Sequence, residues 1–158
     1  MPFGTTEILL ATLLATALCF AAATDWKRRE IDNWLNAAIA LAAPLYWWAT
    51  ALPLWPDVGI QIGLALLAFS IFAGMFALGA MGGGDVKLIG ALALWFAPLE
   101  LLRLLIVMSL IGGLLTLLML ARQKWLKLPG KPEIPYGIAI ALAALWAISE
   151  RYLNHFGQ

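Results

Sequence analysis

Apolar residues in this chain come in blocks, and most of the blocks are as long as a lipid bilayer is thick. Six stretches, residues 8–23, 34–52, 58–80, 86–97, 101–121 and 136–152, run nearly free of charge between short polar clusters. About 20 apolar residues in a helix cross the ~30 Å hydrocarbon layer. A helix suits that task because its backbone N–H and C=O groups pair within the segment, leaving few to be solvated by lipid. A soluble fold of 158 residues has too small an interior to hide a chain that is 63% hydrophobic and 12% charged. The pattern predicts an all-α integral membrane protein, a bundle of about six transmembrane helices. Residues 1–158 then form one membrane-embedded domain, with no room for a separate soluble one. The fourth stretch is too short to span untilted. It is parted from the fifth by Pro98-Leu99-Glu100.

Lys and Arg orient the bundle. Lys27, Arg28, Arg29, Lys87, Arg122, Lys124, Lys127 and Lys131 fall on one side of a six-span chain, and only Arg103 and Arg151 on the other. Cytoplasmic loops carry the excess of positive charge, so the basic side is predicted to be cytoplasmic and both termini to be outside. The first apolar run is expected to be retained as a helix. The residues before it carry no Lys or Arg, whereas a cleaved signal has its charge there. Trp26, Trp34, Trp55, Trp95 and Trp125 lie near predicted helix ends, as interfacial anchors would. The net charge of +1 gives no reason to expect a nucleic-acid partner.

Chemistry is narrowed by elimination. The single histidine, His155, is in the C-terminal tail on the outer side, which argues against a Ser–His nucleophile or a histidine-ligated metal. The lone Cys19, inside an apolar run, is read as packing, and Ser70 and Ser109 as helix-packing residues. Carboxylates remain for acid–base work. Asp25 closes the first helix and Asp85 opens the fourth, both on the basic side. Ionisable groups at the margin of an apolar segment are costly unless solvated or paired. Two such carboxylates brought together share a proton, and the pair can activate water. Position alone favours reading each Asp as no more than a wet helix end.

Gly82-Gly83-Gly84 directly before Asp85 adds a second signal, because glycines break a helix and admit close approach of another backbone. Close helix packing is the simpler use of these glycines, Gly79 and Gly83 being spaced as a small-xxx-small pair.

Gly82-Gly83-Gly84-Asp85 matches the GxGD motif of membrane-embedded aspartyl proteases, and Gly84-Asp85-Val86-Lys87-Leu88 resembles the type IV prepilin peptidases in particular. Asp25, followed by Lys27, Arg28, Arg29, Ile31 and Asn33, resembles the first catalytic-aspartate region of that family. Pro135-Tyr136-Gly137-Ile138-Ala139 is similar to the motif that opens the last helix in its compact members, those of tight-adherence (Flp) pilus systems. The resemblance implies that Asp25 and Asp85 share the general acid and base roles while Gly82, Gly83 and Gly84 shape the cleft. It implies a prepilin or pseudopilin precursor as substrate, cut at the cytoplasmic face of the inner membrane between a short basic leader and a hydrophobic helix. No metal or organic cofactor is called for. Lys87 and the cluster from Lys27 to Arg29 are expected to contact lipid phosphates or fix topology.

Two departures stand out. Ile31-Asp32-Asn33 replaces the family's usual Ile-Pro-Asn; Asp32 can still cap the second helix, and it is a rival acid to Asp25. The cysteine quartet of larger members, associated with N-methylation of the product, has no counterpart beside the single Cys19, so methyltransferase activity is not expected. The alternatives are a small ion- or proton-coupled transporter that uses the two aspartates as ion sites, and a non-catalytic pilus-assembly scaffold. A scaffold would tolerate Asp→Asn at both positions.

Overall fold

A computed structural model describes residues 4–127 and 134–156. Lys131, Glu133 and the side chain of His155 lie outside the described residues. Among the described residues six α-helices follow one another: α1 (Thr5–Arg28), α2 (Asn33–Ala49), α3 (Gly59–Ala77), α4 (Gly83–Ala93), α5 (Pro98–Leu126) and α6 (Tyr136–Phe156). A short π-helical turn, Leu54–Val58, leads into α3, and there is no strand among the described residues. The expected all-α membrane protein is thus observed. Three segments, Thr5–Arg28, Leu54–Ala77 and Pro98–Leu126, are long and apolar enough to cross a bilayer, and most of their surface faces outward.

α4 is the centre of the bundle. At 11 residues it is about 16 Å long, half the hydrocarbon thickness. It begins after a turn that places Gly79 at φ +71°, a conformation open to glycine. Val86 and the whole run 88–93 are buried, with α2, α3 and α6 packed around them. A helix wrapped on all sides by protein has no need to reach both lipid faces. Small residues of α6, among them Ala139, Ala141, Ala143 and Ala144, are fully buried and let α1, α4 and α5 pack closely.

α4 ends within the bundle, so its last carbonyls must be satisfied by side chains. Trp47 Nε1 donates to the Leu94 carbonyl at 2.8 Å and Arg151 Nη2 to that of Trp95 at 3.1 Å. Arg151 also pairs with Glu100 at 2.6 Å, and Arg103 with Glu150 at 3.2 Å. The two cations on the sparsely charged end are therefore both neutralised in ion pairs, which sharpens the charge difference between the ends of the bundle.

Several expectations are corrected. Trp95 is not an interfacial anchor: it is 2% exposed, donating to the Ile39 carbonyl at 2.9 Å, because the helix it ends stops inside the protein. Trp26, Trp34, Trp55 and Trp125 are exposed. Pro98-Leu99-Glu100 is the start of α5 as well as a break, Pro98 being its first residue and Glu100 accepting from the Ala97 N–H at 3.0 Å. α1 continues past Asp25 to Arg28, so that acid is inside the helix. Cys19 faces outward, as do Ser70 and Ser109, whose hydroxyls bond the carbonyls of Leu66 and Leu105 one turn back in their own helices. Gly79 belongs to a turn and has nothing within 4 Å of its Cβ position, so it forms no packing pair with Gly83.

Candidate active site

The end of α1, the turn before α4 and the starts of α4 and α6 surround a cleft of about 490 Å³. Its walls are the end of α1 with Asp25 and Arg29, residues 79–82 between α3 and α4, Asp85, and Tyr136 at the start of α6. Asp25 and Asp85 are 4% and 8% exposed and within electrostatic reach of each other. Residues far apart in the chain meet here because antiparallel neighbours bring the end of α1 and the beginnings of α4 and α6 to the same level.

Asp85 lies in the first turn of α4 and Asp25, in the last turn of α1, faces the first turn of α6, where backbone N–H groups have no partner within the helix. Asp85 is the third residue of α4, and its carboxylate stands beside the backbone of Gly82, the residue that precedes the helix. Asp25 is held by another helix altogether: the backbone N–H of Ile138, third in α6, donates to its Oδ2 at 3.2 Å. Arg29 adds a positive charge beside Asp25.

The three glycines before Asp85 do different work. Gly82 lines the cleft, and a Cβ there would stand 3.0 Å from Asp85 Oδ2. Gly83 abuts the Phe76 ring, at 3.3 Å from its Cβ position. Gly84 abuts the Cβ and backbone of Ile31 at 3.1–3.3 Å, and its carbonyl accepts from Asn36 Nδ2 at 3.2 Å. Only the first of the three therefore borders the cleft; the others allow α4 to approach α3 and the α1–α2 turn.

Asp32 occupies the cap position of α2 but makes no side-chain cap bond. Its carboxylate pairs with Arg28 at 2.8 Å; Arg28 lines the cleft and Asp32 does not. The basic cluster also divides. Arg29 lines the cleft and lies 5.6 Å over the Trp26 ring, whereas Lys87 donates to Asn33 Oδ1 at 2.7 Å. Reading the sequence missed Asn36 and the Ile138 N–H. The signal for the second was present in Pro135-Tyr136-Gly137, which is where the backbone meets Asp25.

Across residues 12–117, a stretch containing both buried aspartates, the sequence matches the type IV leader peptidase family. The chain belongs to that family. It is accordingly a membrane peptidase whose family acts on leader-bearing prepilin-type substrates. No individual curated protein and no solved structure matches it. In this leader peptidase the family match covers α2, α3 and α4 and parts of α1 and α5, and stops before α6. The helix whose N–H holds Asp25 thus lies outside the matched stretch.

Proposed function

We propose that this leader peptidase is an aspartyl endopeptidase in which Asp25 and Asp85 act directly on the scissile peptide and on water. One carboxylate takes a proton from the attacking water while the other, protonated, donates to the carbonyl oxygen or the leaving nitrogen. The observation that carries this reading is the convergence of two buried carboxylates on one open cleft from helices α1 and α4. Arg28 and Arg29 in the cleft wall, at the most basic end of the bundle, support a site at the cytoplasmic face of the inner membrane. The substrate is the precursor of a type IV pilin or pseudopilin, of the Flp class by the Pro135-Tyr136-Gly137 motif, cut after its basic leader. The product is not N-methylated by this chain.

Purified protein in lipid nanodiscs, mixed with a pilin precursor encoded in the same genome, should release the leader in a gel assay. Asp25→Asn and Asp85→Asn should each abolish release while inserting normally; Asp32→Asn should keep most of it. Near-normal turnover by either of the first two variants would end the aspartyl reading.

A further inference from the structure

The geometry points to Gly137 as a positioning residue: its missing side chain is the space in which the Asp25 carboxylate stands, fixed there by the Ile138 N–H. The inference rests on Asp25 acting in cleavage, and it extends the site to a helix that supplies no side chain to the chemistry.

A Cβ on Gly137 would lie 2.8 Å from Asp25 Oδ2, 2.9 Å from its Cγ and 2.7 Å from Ile31 Cδ1, closer than real Cβ contacts come. Gly137 is buried, and Ile31 is 6% exposed, so neither can swing into open space. Asp25 itself is 4% exposed on a continuous helix, with the backbone N–H of Arg29 bonded to its carbonyl at 3.0 Å. Relief of the clash must therefore move either the carboxylate or the start of α6. Each of these lengthens the 3.2 Å bond from the Ile138 N–H. A reacting carboxylate held by backbone donors at a helix start, Ile138 foremost, is sensitive to such a shift, because misplacement by about 1 Å at a reacting group costs on the order of 100-fold in rate.

Ile31 makes the inference testable, since it is the other group that a Cβ at 137 would strike. Ile31→Val deletes Cδ1 and so removes the hydrocarbon clash but leaves the clash with Asp25. Cleavage kinetics should be measured in nanodiscs for wild type, Gly137→Ala, Ile31→Val and the double variant. Gly137→Ala should lower kcat at least tenfold with KM within twofold, and the double variant should show the same loss relative to Ile31→Val alone. A second variant removes the donor without adding bulk: Ile138→Pro lacks the N–H at a first-turn position where a helix tolerates proline. It too should lower kcat and spare KM. Recovery of the double variant to the level of Ile31→Val would reduce Gly137 to a packing residue and overturn the inference. So would wild-type kcat in Ile138→Pro, with Asp25→Asn inactive in the same preparation. Activity in Asp25→Asn would instead remove the reading on which the inference stands.

Discussion

Three consecutive glycines precede Asp85, and alanine at each should give a different result. At Gly84 the new methyl meets the Cβ, carbonyl oxygen and amide nitrogen of Ile31 at 3.1, 3.2 and 3.3 Å, and two of those atoms are backbone. Overpacking against atoms that cannot rotate away costs ~1–3 kcal/mol. Alanine's better helix propensity returns up to about 1 kcal/mol, so Gly84→Ala should destabilise by roughly 1–2 kcal/mol net. At Gly83 the methyl meets the far edge of Phe76, at 3.3 Å. That ring is 53% exposed and can turn outward, so Gly83→Ala should lie within about 0.5 kcal/mol of wild type, the range of benign surface changes. At Gly82, which has extended backbone angles that alanine accepts, the methyl meets the Asp85 carboxylate at 3.0 Å. Stability should hold there while cleavage falls, because the reacting group moves. Thermal unfolding in detergent micelles and initial rates of leader release, measured on the same preparations, separate the three. The order expected for stability is Gly83→Ala at or above Gly82→Ala, with Gly84→Ala lowest; for activity Gly83→Ala alone should be near normal. A stable, active Gly84→Ala would refute the claim that the backbone of Ile31 limits the approach of α4.

At the opposite end, Arg151→Met leaves Glu100 without its partner and the Trp95 carbonyl without a donor. Breaking one side of a largely buried pair costs ~3–5 kcal/mol; a large fall in unfolding temperature with little change in KM is expected, and unchanged stability would contradict the role given to this network. For topology, single cysteines at position 27 and position 127, in a Cys19-free chain, should react with an impermeant reagent only from the cytoplasmic side, and one at position 56 only from outside. Labelling of position 27 from outside would reverse the proposed orientation. Leader release should follow a bell-shaped pH profile, falling at low pH where both acids of the pair are protonated and at high pH where both are ionised. It should survive EDTA; loss reversed by added zinc would point to metal chemistry instead.

Helix number was legible because charge in a lipid-soluble chain is confined to helix ends, so polar clusters such as 24–33 and 122–127 mark them directly. Depth was not. Trp95 resembles an anchor at the end of a span, but α4 stops halfway, and only the packing of α2, α3 and α6 around it reveals that. Asp25 and Asp85 were both nominated by position and motif, yet nothing in the linear order says that a third element holds one of them. That contact runs from a side chain at 25 to a backbone group at 138, and backbone donors leave no residue type to read. The absence of a side chain at Gly137 was the trace it left. Asp32 illustrates the converse: its acidity and position suggested a rival acid, yet it is engaged in an ion pair with Arg28 and is not among the residues that line the cleft.

The half-length α4 also bears on how water can enter such a protein without making a leak. The residues that line the cleft around Asp25 and Asp85 all come from one end of the bundle. Beyond it the bundle is filled by Leu88, Ile89, Leu92 and Phe96, all fully buried, and then closed by Trp95, Tyr46 and Arg151 with Glu100. The hydrated space is a vestibule with a floor. Under the proposed mechanism, hydrolysis would proceed at its open end while the floor insulates the two compartments, so that protons exchanged by the carboxylates would return to the side they came from. A conduit for ions would need that floor to part, and Leu88, Ile89, Leu92 and Phe96 within it are fully buried.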